Sequence, residues 1–254
     1  MLSKKQISWI NALKVKKYRK IQQAFLVEGE KNVAELLQSN FHIIAIYALE
    51  SWIAKNAKTC NLHQQILHSI SPKELKRISN LQTPNEVAAI VQLPTNHNNT
   101  NLISQALKLP LKNHVLALDN ISDPGNLGTI IRIADWFGID TVICSPTCVD
   151  AYSPKVVQAT MGSIFHIQLI YNDLQQLFEN YPQTPVYAAL LQGSDIFATD
   201  FSKKGIILMG NESKGIQQKY FKYMSQAITI PRKGKAESLN VAVATSIICA
   251  IACK

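Results

Sequence analysis

An α/β protein in two parts is the fold that the sequence predicts: a C-terminal region built on a mostly parallel sheet, preceded by a smaller α/β domain. Three observations carry this expectation. Short apolar runs alternate with amphipathic ones along the 254 residues. In the second half those runs are apolar almost throughout, as strands covered on both faces must be. Between the halves a polar, Asn-rich tract bounded by proline, "PTNHNNTN", interrupts the pattern where the charge balance changes.

In the first part "AFLVEG" (24–29) reads as a strand, "EKNVAELLQSN" (30–40) as a helix and "HIIAIYAL" (42–49) as a strand. "SPKELKRISN" (71–80) follows as a helix opened by a capping box of Ser71 and Glu74, with Pro72 at the first helical position. "EVAAIVQL" (86–93) closes the unit as another strand. The boundary is placed in residues 95–113, a linker between a domain of residues 1–94 and one of residues 114–254. In the latter, "HVLALDNI" (114–121) and "DTVICS" (140–145) read as strands, and "NLGTIIRIADWFG" (126–138) and "SPKVVQATMG" (153–162) as helices. "PVYAALL" (185–191), "GIILMGN" (205–211) and "QAITIP" (226–231) read as three further strands, and a last helix starts near residue 239. In a parallel sheet the functional groups gather at the carboxyl ends of strands. The polar punctuation of this chain falls there: "SDPGN", "QGS", "GNESKG" and "RKGKAESLN".

The formal net charge is +9. Residues 1–94 hold 13 Lys and Arg against 6 Asp and Glu, a balance of +7, while residues 95–254 hold 13 against 11, a balance of +2. The run "KVKKYRK" supplies Lys14, Lys16, Lys17, Arg19 and Lys20 around Tyr18, a composition that suits phosphate contacts with stacking on an unpaired base. A solvated basic helix end reads equally well. No apolar stretch is long enough to span a bilayer and the start lacks a signal-peptide core, so a soluble, cytoplasmic protein is expected. The five cysteines form no C-x-x-C pair and no zinc-ligand spacing with histidine, which points to reduced structural thiols and no metal.

Three loops raise chemical questions. Asp123-Pro124-Gly125-Asn126 turns into a helix that Asn126 is placed to cap; the loop is neither G-x-G-x-x-G nor Walker A. Arg132 follows among Ile130, Ile131 and Ile133, either snorkelling outward or meeting a phosphate or a reacting oxygen. Glu212 lies between Gly210 and Gly215, in a plain turn or as a carboxylate that pairs with Arg132 or accepts a ligand's donors. In "AESLNVAVATSI" (236–247), Ser238 or Asn240 can cap the last helix while Glu237 favours the positive end of its dipole. A cap needs only one of these.

Taken together, these loops resemble the SpoU/TrmH family of RNA ribose 2′-O-methyltransferases, within the SPOUT superfamily. The first family motif is matched by Asn120, Asp123, Pro124, Asn126, Gly128, Arg132, Ala134, Phe137 and Gly138. The second is matched by Gly210, Glu212 and Gly215, and the third by Ile230, Pro231 and the stretch Glu237 to Ala244. "FLVEGEKNVAELL" and "ISNLQTPNEVAAIV" are similar to the small substrate-binding domain that many members carry. Arg232 and Ala242 depart from the usual pattern, at positions outside the family's catalytic set.

The resemblance implies S-adenosylmethionine as methyl donor, a C-terminal trefoil knot and a homodimer in which the small-residue helix "VAVATSIICAIA" packs. It implies Arg132, Glu212, Ser238 and Asn240 as catalytic residues, with Asn126 near the centre. The donor pocket would be lined by Gly210, Ile230 and Leu239, with Leu190 and Gly193. Structured rRNA is the expected substrate. A tRNA substrate, or a non-catalytic RNA-binding or ribosome-assembly protein on the same fold, is the alternative. The basic balance of residues 1–94, and the lack of a G-x-G-x-x-G or nucleophile-elbow motif, oppose a metabolic α/β enzyme.

Overall fold

The computed structural model describes residues 1–94 and 100–254. The first stretch runs α1 (Lys4–Ala12), α2 (Lys16–Gln22), β1 (Ala24–Glu28), α3 (Glu30–Leu37), β2 (Ile43–Ala48), α4 (Glu50–Lys55), α5 (Ala57–Leu62), β3 (Leu67–Ser69), α6 (Pro72–Ile78) and β4 (Val87–Gln92). Then come α7 (Thr100–Ala106), β5 (Val115–Leu118), α8 (Pro124–Trp136), β6 (Thr141–Cys144), α9 (Pro154–Thr160), β7 (Gln168–Tyr171), α10 (Leu174–Asn180), β8 (Val186–Asp195), β9 (Ile206–Met209), β10 (Gln226–Thr229) and α11 (Val241–Ala252). Among the described residues no helix is long and apolar enough to cross a membrane.

The chain divides into two compact units, one of Met1–Thr95 with Asp150–Phe165, the other of Asn96–Val149 with His166–Lys254. In the first, four strands stand in the order β1-β4-β2-β3, with β4 antiparallel to both β1 and β2. Every residue of β1 is buried, so both faces of the strand are covered and its sequence is apolar from Ala24 to Val27. Leu26 joins one core with Ile10, Leu13, Leu75 and Ile90. Phe25, pointing to the other face, meets Tyr152 with ring centroids 4.8 Å apart, and Phe41 meets Phe165 at 5.2 Å. Residues 150–165 therefore complete the N-terminal core, although in sequence they lie between β6 and β7. No local pattern marks that exchange. The capping box at α6 forms as its sequence predicts, and the hydrogen bonds from Ser71 and from the Leu2 amide lower the Glu74 pKa to about 2. Glu28, buried at the end of β1, accepts from Ser79 Oγ, Asn80 N (3.1 Å) and Asn80 Nδ2 (2.9 Å), which ties "FLVEG" to "ISNL".

One residue of the basic run has a different task. Arg19 is buried; its Nε and Nη2 donate to Asp150 at 3.2 and 2.6 Å and its Nη1 donates to Leu13 O at 2.7 Å. It therefore holds the N-terminal unit together instead of facing RNA, because α2 turns that one position inward. Lys14 Nζ reaches Ser79 O at 3.2 Å, whereas Lys16, Lys17, Tyr18 and Lys20 are exposed.

The second unit is a six-stranded sheet in the order β10-β8-β9-β5-β6-β7, and every pairing is parallel. The span expected as a linker includes α7, and Ile103 of that helix and Leu107 just after it are buried in the core formed with Val115, Ile143, Ile170 and Leu208. Residues 95–99 lie outside the described residues. From central β5 the chain proceeds outward through β6 and β7, then crosses to β8 and β9 on the other side. The junction of β5 with β9 is thus the topological switch point, where open parallel sheets place ligands. Cys60, Cys144, Cys148 and Cys249 are buried free thiols, and burial pushes Cys249 up, in keeping with a structural role.

Arg19→Ala is expected to cost about 3 kcal/mol in urea unfolding, because Asp150 is left as an uncompensated, mostly buried charge. Exposed Lys17→Ala should stay within about 0.5 kcal/mol. Equal small effects would show that the Arg19 pair is not structural.

Candidate active site

The register brings the carboxyl ends of β5, β6 and β9 level, with Leu118 opposite both Cys144 and Met209. The residues that follow leave the sheet together. Asn120 adopts a left-handed backbone (φ 58°), a conformation asparagine tolerates better than most residues. Its amide donates to Ser145 Oγ at 2.9 Å and its carbonyl accepts from Asn211 Nδ2 at 2.8 Å. The loop after β9 closes on itself through paired backbone bonds between Asn211 and Gly215 (3.0 and 2.9 Å).

The N-cap of α8 is Asp123, whose carboxylate accepts from the Asn126 amide at 2.8 Å, with Pro124 in the first turn. The capping role expected of Asn126 is therefore filled three residues earlier, since an extended Asp before proline is the better acceptor. This leaves the Asn126 side chain free. Its Nδ2 donates to Glu212 Oε1 at 2.7 Å and its Oδ1 accepts from Asn240 Nδ2 at 2.9 Å. Asn240 is the cap of α11, its Oδ1 accepting from the Ala242 and Val243 amides at 2.9 and 3.2 Å. Asn211 Nδ2 approaches the other Glu212 oxygen at 3.2 Å. One chain of side-chain hydrogen bonds thus runs from the last helix, through α8, to the loop after β9.

Arg132 is not part of that chain. It lies on the exposed stripe of α8 with Thr129 and Trp136, and among the described residues no ion pair joins it to Glu212. The expected Arg132–Glu212 pair gives way to Asn126, because six helical positions turn Arg132 well away from the Asn126 face. Ser238 is exposed and Leu239 is 48 % exposed, in a segment exposed from Pro231 to Asn240; Ile230 and Leu190 are half-buried. Gly193 lies where β8 bulges: Ala227 pairs with Ala188 but Ile228 with Ser194, and a Cβ on Gly193 would fall 2.8 Å from the Ala227 carbonyl. Gly210 backs directly onto the next turn, a Cβ there lying 2.4 Å from backbone atoms of Gly215 and Ile216. Two surface clefts, of about 300 and 350 Å³, are lined by Leu26, Glu28 and Lys155 and by Pro182, Tyr187 and Lys203; neither includes a residue of the three loops.

Three participants were missed from sequence. Asp119 is fully buried and accepts from Gln217 N and Nε2 at 2.8 and 2.6 Å; Asn211 is described above; Ser145 holds Asn120. The available signal was a carboxylate directly after the buried run "VLAL", since such a group is rarely enclosed without assigned donors.

Comparison with known proteins decides the family. Residues 113–250, more than half of the chain, match the SpoU rRNA Methylase family. The chain belongs to this family. Residues 4–89 match the MRM3-like substrate binding domain. A 23S rRNA (guanosine(2553)-2′-O)-methyltransferase of Bacillus subtilis is 30% identical over 243 residues, covering 93% of this chain and 91% of that protein. Among solved structures, a putative TrmH-family RNA methyltransferase from Porphyromonas gingivalis is 32% identical with a TM-score of 0.85, covering 99% of this chain and 98% of the other. An AdoMet-bound rRNA methyltransferase from Sinorhizobium meliloti is 29% identical with a TM-score of 0.86, covering 99% and 95%. The SpoU match includes residues 150–165, which pack with the N-terminal unit, so the sequence family and the compact unit divide the chain differently.

Gly210→Ala is expected to lower unfolding stability by about 1–3 kcal/mol, the usual cost of overpacking, and to speed hydrogen exchange at Gly215 and Ile216. Unchanged exchange at those two amides would contradict the close approach.

Proposed function

We propose that this SpoU-family protein transfers the methyl group of S-adenosylmethionine to a ribose 2′-hydroxyl in ribosomal RNA. The observation that carries the reading is the chain Asn240–Asn126–Glu212, which joins the three motif loops at the switch point of the parallel sheet. Support also comes from the relatives, which are named as rRNA 2′-O-methyltransferases, and from an AdoMet-bound structural neighbour.

The residues fit such a donor. Strands β10, β8 and β9 are neighbours in the sheet, so Ile230, the bulge from Leu190 to Gly193, and Gly210 lie at the carboxyl ends of adjacent strands, where the apolar side chains of Ile230 and Leu190 suit an adenosine. Leu239 follows on the next segment. When bound, the donor supplies a sulfonium-activated methyl group, already a good electrophile.

The acceptor is the difficult partner, because a 2′-hydroxyl is a weak nucleophile near neutral pH. Alignment and loss of its proton are what the chain must provide. Arg132 acts by charge: it contacts the target phosphate and 2′-oxygen and favours loss of the 2′-proton to solvent water as the methyl carbon–sulfur bond breaks and the carbon–oxygen bond forms. Glu212 holds the Asn126 amide, Asn126 holds Asn240, and Ser238 positions the loop beside them. Lys14, Lys16, Lys17 and Lys20, with Tyr18, are assigned to RNA recognition by the N-terminal domain of residues 1–94, and methyl transfer to a domain of residues 114–254 whose core also takes in Ile103 and Leu107. A trefoil knot within residues 114–254 is proposed on the strength of the SpoU family match. Exposed Trp136 on α8 and Val243 on α11 suit a homodimer contact, and the cytoplasm is the proposed location.

The reading is tested by methyl transfer from labelled S-adenosylmethionine to ribosomal RNA followed by alkaline hydrolysis. A 2′-O-methyl blocks attack on the adjacent phosphate, so a gap in the ladder is expected; label without a gap means base methylation and overturns the ribose assignment. Arg132→Ala should lower turnover by roughly 10²–10³ while donor affinity in calorimetry is unchanged. Near-normal turnover would remove Arg132 from the mechanism.

A further inference from the structure

The segment after the Glu212 loop combines a fixed backbone with an uncovered aromatic ring. Its start is anchored by Asp119, which accepts both the backbone and side-chain N–H of Gln217 and sits one residue before Asn120. Ile216 and Tyr220 are buried. The 3₁₀ turn Gln218–Tyr223 then packs against α10: the rings of Tyr220 and Tyr223 lie 5.7 and 5.6 Å from that of Phe178, and Tyr223 Oη donates to Glu179. With its inner residues held in this way, the turn presents Lys219, Phe221 and Lys222 outward, and Lys214 is exposed just before it. Phe221 is 45 % exposed although it sits between two packed tyrosines.

The lysines are placed as well as exposed. Three residues per turn stack Lys219 and Lys222 along one side of a 3₁₀ helix. Lys219 Nζ stands 4.8 Å from the Tyr220 ring centroid and Lys222 Nζ 4.7 Å from that of Tyr223. The adjacent tyrosines, with weaker pull from Asp173 and Asp119 at Lys219 and from Glu179 at Lys222, raise both ammonium pKa values. The Glu179 carboxylate is itself engaged by Tyr223 and Gln175.

We propose that Lys214, Lys219, Phe221 and Lys222 form a second RNA-contact surface, on the catalytic unit, that holds an unpaired nucleotide near the one to be methylated. Phe221 stacks on the base and the lysines contact the flanking phosphates. Single-stranded RNA offers a π-face and an anion at every nucleotide, which is the pairing this turn can meet; an acidic peptide offers only the charge. Asp119 and the Asn211–Asn120 bond fix the turn to the two strands that carry Asn120 and Glu212, so a base held there is held in register with those loops. The proposal rests on the chain being an RNA methyltransferase.

The experiment compares wild type with Phe221→Ala, Phe221→Trp and the pair Lys219→Gln/Lys222→Gln, all surface changes whose folding is checked by unchanged Tm. Binding of a labelled stem–loop RNA is followed by anisotropy across a salt series, S-adenosylmethionine binding by calorimetry, and methyl transfer to ribosomal RNA by its kcat and KM. Phe221→Ala should weaken RNA binding about tenfold and raise KM, with kcat and donor affinity near wild type, and Phe221→Trp should restore both. The lysine pair should reduce the slope of log K against log salt by about 1.4, two single-strand phosphates' worth. Wild-type affinity and salt slope in both Phe221→Ala and the lysine pair would overturn the surface. Wild-type protein that transfers no methyl to RNA would instead overturn the methyltransferase reading, and RNA-binding losses in the variants would still support the surface.

Discussion

The site depends on one amide used at both ends. A carboxylate only accepts, so Glu212 must face the nitrogen of Asn126, which turns the amide oxygen toward Asn240. Asn240 repeats the device, with its oxygen capping α11 and its nitrogen crossing to Asn126. Neither connection would exist if Asn126 had to cap its own helix. Asp123 takes that role, and this substitution of one cap for another is what lets three loops from distant parts of the sequence meet. The sheet provides the frame: level strand ends at Leu118, Cys144 and Met209 release the loops at the same height.

Beneath this chain lies a second set of bonds that sequence patterns did not reveal. Asp119, Asn120, Ser145, Asn211 and Gln217 connect the ends of β5, β6 and β9 directly. Apart from Asn120, which opens the first family motif, they look like ordinary loop text. Their partners are 25 to 98 positions away, and no local period encodes such a distance. The buried strands were legible for the opposite reason: burial on both faces favours an apolar residue at every position, and "VLAL" and "IILM" show it, with Thr141 of "TVIC" the one polar exception. β3 and β7 escaped notice, the former a three-residue strand with two exposed positions. α7 was hidden inside a tract that began as a polar linker, although Ile103 and Leu107 are four apart, as core contacts of a helix should be.

Charge was legible in total and misleading in detail. Of the basic run near the N-terminus, Arg19 is consumed by Asp150, so the excess in residues 1–94 overstates the surface available to RNA. The near-neutral balance of residues 95–254 errs the other way. Asp119 and Glu212 are turned to internal donors, and Glu179 accepts from Tyr223 and Gln175, while Lys214, Lys219 and Lys222 remain on the surface. A sum over the sequence cancels charges that the fold keeps apart.

The claim that the three loops behave as a single coupled element is open to one direct measurement, a double-mutant cycle on Asn126→Ala and Asn240→Ala read by urea unfolding. The two changes are expected not to be additive, with a coupling of about 1 kcal/mol or more between residues 114 positions apart. Additivity within about 0.3–0.5 kcal/mol would mean that the amide contact carries no energy and that each loop is held by its own strand alone.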